Sequence, residues 1–166
     1  MTMDERIERS VAELEAANHD LLEFFDSLTG EQWRAAGSDE GWPVSAVAYH
    51  IADGFRIHML WLEHLRLKEA VPGTPEELNE SNARTAHDAV AFSPETVRRA
   101  VENGGQLLRA YLRGIGSEEI GRSAPHGPLG GDDMTVQDML EIAPWHVREH
   151  LDSMRSAVSQ LGGFGT

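Results

Sequence analysis

His146 and His150 stand four residues apart near the C-terminal end of a 166-residue chain. On a helix that spacing stacks two imidazoles one turn apart, about 40° from each other, so both can reach one metal ion. The same spacing also suits two half-buried histidines that merely flank an apolar stripe, and the pair alone does not choose between the two. A catalytic zinc-type site needs three protein ligands and an open position. The chain has no cysteine, so every ligand must be His, Asp or Glu. His50 is the best third ligand, on a helical strip with Gly54, Ile57 and Trp61 beside a run of apolar positions. Gly54, one turn beyond His50, either leaves room for an ion and a small ligand or lets two helices pack closely. His58 is a rival ligand, but it sits nearer the middle of the apolar stripe and is expected to be a hydrogen-bonded core residue. His19, His64, His87 and His126 lack comparable partners and are read as surface or loop residues.

Few groups are placed to help these ligands. Asp53, three residues from His50, is a catalytic candidate that would orient an imidazole; a solvated surface carboxylate is the competing reading. Glu149 lies about 60° from His146 on the helical count and is a candidate base, or else faces water or pairs with Arg148 or Arg155. His146, Glu149 and His150 also match the inverted zinc-protease motif HxxEH, but that motif needs an acidic ligand well downstream and only 16 residues follow. Asn18 falls in the middle of the first helix's apolar stripe. A buried amide there must be hydrogen-bonded, either as a core register residue or as a cofactor-contacting group in the pocket wall. Trp42, Trp61 and Trp145 lie near the ligands in sequence. Core packing accounts for two of them, and Trp61 is the candidate for cofactor contact.

Helical periodicity supplies the elements that position these residues. Ile7, Val11, Leu14, Leu21, Phe25 and Leu28 predict an amphipathic helix over 4–28, ended by Gly30. Residues 29–42, with Gly37, Ser38 and Gly41, read as a structured loop. Pro43 is expected in the first turn of a second helix that runs to about Glu69, with Val44, Val47, Ala48, Ile51, Phe55, Met59, Leu62 and Leu65 on one face. Thr74, Pro75 and Glu77 form a helix-start signature for a weaker helix reaching about Val90. Ser93 and Pro94 open another, which carries Val97, Val101, Leu107, Leu108 and Leu112 to about Gly114. Residues 114–133 read as a long Gly/Pro-rich loop. Thr135 and Asp138 form a capping box for a last helix carrying Val136, Leu140, Val147, Leu151, Met154, Val158 and Leu161. Pro144 is expected to kink that helix, and the tail 162–166 to fray. No segment alternates with period two. The fold class is all-α: a four-helix bundle with long crossover loops and one extra short helix, as a single domain over 1–166.

Composition narrows the function. The chain holds 14 basic and 28 acidic residues, a net charge of −14, and 40% hydrophobic residues. That field opposes nucleic-acid backbones and anionic membranes. Apolar runs are far too short for a membrane span, and the charged N-terminus lacks a signal region, so a cytoplasmic protein acting on a small molecule is expected.

The stretch Gly41-Trp42-Pro43-Val44-Ser45-Ala46-Val47-Ala48-Tyr49-His50-Ile51-Ala52 resembles the start of the second helix in the DinB-like superfamily, where a tryptophan precedes a helix bearing a histidine about two turns in. The closing His146-Val-Arg-Glu-His150-Leu is similar to the family's HxxxH helix, and the separation of His50 from His146 suits it. The resemblance implies a four-helix bundle that holds a divalent metal, zinc or nickel, through His50, His146 and His150, and it implies homodimers. Better-known relatives are thiol-dependent transferases and isomerases, using mycothiol or bacillithiol; a non-catalytic metal- or ligand-binding bundle is the alternative. Pro144 is the departure, expected to rotate His146 relative to His150.

Overall fold

The chain starts with the two-way cap that helix physics asks for. Thr2 Oγ1 accepts the Glu5 amide at 3.2 Å, and the Glu5 carboxylate accepts the Thr2 amide at 2.6 Å, satisfying two amides that a helix start leaves open. The first helix, α1 (Met3–Ser27), then buries Ile7, Val11, Leu14, Leu21 and Phe25. The computed structural model describes residues 2–36 and 41–162. After α1 come α2 (Gly30–Trp33), α3 (Val44–Leu67), α4 (Pro75–Ala89), α5 (Pro94–Arg113) and α6 (Val136–Gly162).

Two starts differ from expectation. Gly30 does not simply end α1: Leu28 caps it, and Gly30 is the first residue of the one-turn α2, held by reciprocal Thr29 and Gln32 bonds. Pro43 sits just before α3 as its cap residue rather than in the first turn. Gly37, Ser38 and the tail 163–166 lie outside the described residues.

The four long helices form the bundle. α1 and α3 each pack against both α5 and α6, so α1 faces α3 across one diagonal and α5 faces α6 across the other. The α1–α3 and α5–α6 connections therefore both cross a diagonal, which is the crossover arrangement the loop lengths implied. α4 lies outside, against α3, and is the shorter extra helix. Among the described residues no helix is long and apolar enough to cross a membrane.

The α5–α6 connection holds structure that period-two reasoning missed. Strands β1 (Ser123–Pro125) and β2 (Asp133–Thr135) pair antiparallel, Ser123 opposite Thr135. Three residues are too few to show alternation. Glu119 anchors this connection: its carboxylate accepts from Arg66 on α3 at 3.0 Å, from Arg122 at 2.8 Å and from the Gly116 amide at 2.9 Å. The Gly116 amide and the Arg66 guanidinium hold that carboxyl below its ordinary pKa. Arg66 also donates to the Tyr111 hydroxyl on α5, and Tyr111 donates to Glu63 at 2.6 Å. Burial, with the Glu63 carboxylate, pushes the Tyr111 hydroxyl up to about 12.

Two expected stripe residues turn outward. Leu107 is 61% exposed and Leu161 44% exposed, while Leu108 is buried. Adjacent helical residues point about 100° apart, so Leu107 and Leu108 cannot share the core face.

Asn18 sits where α5 comes close to α1. A Cβ at Gly105 would land on the Asn18 side chain, which is 2% exposed and would have to shift. Gly105→Ala is therefore expected to destabilise the fold by about 1–3 kcal/mol despite alanine's better helix propensity, read as a lowered urea midpoint with an unchanged slope.

Candidate metal centre

α3 and α6 pack side by side, and this contact brings the histidines together. His50 lies two turns into α3 and is 8% exposed. α6 begins at a reciprocal cap, with the Thr135 amide to Asp138 at 2.8 Å and the Asp138 amide to Thr135 at 3.0 Å, and runs on without a break through Pro144. His146 Nε2 and His50 Nε2 are 3.2 Å apart. The His150 ring lies 4.9 Å from that of His50 and 4.6 Å from that of His146, centre to centre. One ligand nitrogen from each of the three falls within 4.8 Å of the others. Pro144 thus leaves the pair on one face.

Gly54 explains how the helices come so near. A Cβ there would stand 2.9 Å from Cε1 of His146, so close packing and room for the site are the same feature. The Gly54 carbonyl accepts a hydrogen bond from His58 Nδ1 at 2.7 Å. A carbonyl only accepts, so His58 carries its proton on Nδ1. His58 is thus the hydrogen-bonded core histidine anticipated, 4% exposed and outside the ligand group.

The electrostatics favour lone pairs over protons. Burial, helped by the neighbouring His150 and His58, pushes the His50 imidazole down to about 4. Burial also drives His146 well below its ordinary 6.5, with His58, His150 and His50 adding to the effect. Both rings are neutral at pH 7, the form that ligates metal. Two nitrogens about 2.05 Å from a tetrahedral ion stand about 3.3 Å apart, close to the His50–His146 spacing. The donor set of His50, His146 and His150 therefore fits a divalent metal ion.

The three rings open into a cavity of about 250 Å³. Trp42 meets the His50 ring edge-on at 5.6 Å, and Trp61 and Trp145 complete an aromatic wall. α4 adds Leu78 and Asn82, and Leu129 comes from the α5–α6 connection. These three were missed because α4 carries few apolar positions and Leu129 lies among glycines and prolines.

The other candidates separate. Trp61 lines the cavity. Asp53 does not; it accepts two bonds from Arg56, at 3.0 and 3.1 Å, and orients no imidazole. Glu149 is exposed and outside the lining, so the base that the HxxEH reading requires does not reach the site. Asn18 is at the α1–α5 contact rather than in this wall. His126, read as a surface or loop residue, is fully buried with its ring 4.5 Å from Trp61, edge-on. It lies on the loop, but Val71 clamps the backbone on both sides, its amide donating to Pro125 at 2.9 Å and its carbonyl accepting from Gly127 at 3.1 Å. Nothing in the local sequence announces that long-range clamp.

These observations define a crossover four-helix bundle with a partly buried three-histidine centre between two of its long helices. The chain belongs to the DinB superfamily, whose sequence profile matches residues 13–154. The fold is similar to that of YfiT from Bacillus subtilis, described as a probable metal-dependent hydrolase with an unusual four-helix bundle topology: TM-score 0.78, 19% identity, 95% of this chain and 89% of that one. It is also similar to the mycothiol-dependent maleylpyruvate isomerase, with TM-score 0.74 and 15% identity over 94% of this chain. The match spans 64% of the isomerase's length. Among curated proteins, nothing matches the sequence.

Two outcomes follow from this geometry. In metal-free protein, stability should fall as pH drops from 6.5 towards 4. Across that window the unfolded chain protonates a histidine that folded His50 keeps neutral, so the unfolded state binds more protons. Urea midpoints measured at steps from pH 7 to pH 4 check this. Gly54→Ala should push the His146 ring aside and weaken zinc or nickel binding about tenfold or more, seen by calorimetric titration, with the helical circular dichroism retained.

Proposed function

We propose that this protein is a divalent-metal-dependent enzyme that transfers or isomerises a small molecule with a low-molecular-weight thiol, such as mycothiol or bacillithiol, as co-reactant. The observation that carries the reading is the convergence of three imidazole nitrogens within 4.8 Å of one another at the end of an apolar cavity. His50, His146 and His150 hold the ion without cancelling its charge. An ion so held lowers the pKa of a bound thiol or water and supplies the nucleophile at neutral pH. The chain contains no cysteine, so a thiol must come from a small molecule. Trp42, Trp61 and Trp145 line the cavity and seat the apolar part of the reactants. The likeness to a protein described as a metal-dependent hydrolase and to a mycothiol-dependent isomerase supports the reading.

A second reading has one observation in its favour: among the described residues lining the cavity there is no carboxylate to serve as a base. A non-catalytic metal- or ligand-binding bundle needs none. The two separate in a thermal-shift series. Zinc or nickel should raise Tm, and thiol added to the metal-loaded protein should raise it again; a metal response with no thiol response selects the binder. Metal analysis should find one ion per chain in wild type and a large loss in His150→Ala. Equal, negligible metal in both would end the metal reading. The reading includes a cytoplasmic homodimer, for which light scattering should return twice the 18.3 kDa chain mass.

A further inference from the structure

Away from the histidines, α1 and α6 enclose a second cleft, of about 450 Å³. Arg6, Arg9 and Glu13 meet it from α1 at the spacing of one helix face, and Gln137, Glu141, Trp145 and Arg148 meet it from α6 in the same way. Three guanidinium groups there stand against two carboxylates, on a chain whose net charge is −14. Both carboxylates are engaged elsewhere than at Arg6. Glu13 accepts from Arg9 at 2.8 Å and lies 3.7 Å from Arg148. Glu141 accepts from the Gln137 amide at 3.2 Å.

Arg6 is left with a neutral partner. Its Nη1 donates to the Gln137 side-chain oxygen at 2.5 Å, and its Nε is buried without a partner. A half-buried cation has lost part of its hydration, and a neutral amide does not return what a carboxylate would. A guanidinium fork matches carboxylate and phosphate alike, but the cleft's surplus is one positive charge and suits a monoanion. A phosphate monoester, at about −1.5 to −2, presses its second charge against Glu13 and Glu141.

Trp145 ties this cleft to the metal centre. It lines both cavities, is 57% exposed, and precedes the ligand His146 by one position on α6. A molecule lying over that indole has one end among the arginines and the other beside the imidazoles. We propose that the α1–α6 cleft binds the carboxylate of a small molecule whose uncharged end lies across Trp145 in the metal cavity, with Arg6 as the cation that selects for the charge. The second half rests on the reading that the reactants occupy the metal cavity. Arg6 determines specificity here; it is not a catalytic residue.

Four probes test it: 4-phenylbutyrate, 4-phenylbutyramide, acetate and 3-phenylpropyl phosphate, titrated into metal-free full-length protein by NMR. Working without metal prevents any of the anions from binding as a simple ligand of the ion. In wild type, 4-phenylbutyrate should bind about tenfold or more tighter than its amide and about tenfold or more tighter than acetate, which lacks the apolar end. The phosphate should bind more weakly than 4-phenylbutyrate. The Trp145 indole N–H signal, assigned with Trp145→Phe, should move. Arg6→Met should bring 4-phenylbutyrate down to the affinity of its amide, whereas Arg99→Met, which removes the same charge from an exposed position on α5, should leave the ratio unchanged. No binding of 4-phenylbutyrate, equal binding of its amide or of acetate, tighter binding of the phosphate, or equal effects of the two arginine variants would each overturn the proposal. The wild-type ranking stands even if a variant fails to fold. Metal content and the thermal response to thiol report on the proposed function; they can fail while the ranking holds, and the reverse.

Discussion

The close approach of α3 to α6 at Gly54 governs the centre. One hydrogen atom in place of a side chain lets the His146 ring lie over the α3 backbone, and its Nε2 then meets that of His50 across 96 residues of sequence. The same residue's carbonyl fixes the His58 tautomer. Helix packing and site geometry are thus not separable here: a bulkier residue would fill the space that the ligand ring needs. Close packing leaves little slack for such a ring to relocate.

That contact exists because the chain crosses its own bundle. In a plain up-and-down meander, consecutive long helices would be neighbours. Here α1 and α3 occupy one diagonal, so α3 gains α6 as a neighbour. The α5–α6 connection must therefore be long and also pinned. Glu119 ties it to α3 through Arg66, while Val71 clamps the backbone around His126. These tethers carry Leu129 to the cavity rim and set His126 behind Trp61. One loop both closes the topology and furnishes a wall.

What sequence reasoning reached follows the range of the interactions involved. The helices, their apolar faces and the i,i+4 pair His146 and His150 depend on residues a turn apart, and periodicity reports them directly. Joining His50 to that pair took a recognised pattern of the whole chain, because no local signal spans so wide a gap. His126 escaped because its burial depends on a backbone clamp to Val71. Asn18 was drawn toward the pocket because a buried amide looks functional; its partner surface, Gly105, lies on a helix that sequence alone could not place beside it. Asp53 and Glu149 show the limit of helical counting. An angle on a wheel does not reveal that Arg56 engages one carboxylate or that the other remains exposed.

Charge and burial act together on what the centre accepts. An acidic molecule attracts protons as well as divalent cations, and a solvated histidine cluster would bind either. Burial separates the two. It holds His50 near 4 and His146 well below its ordinary value, so at neutral pH the rings refuse protons and keep their lone pairs. A divalent ion repays desolvation through three nitrogens at once, which a single proton cannot do.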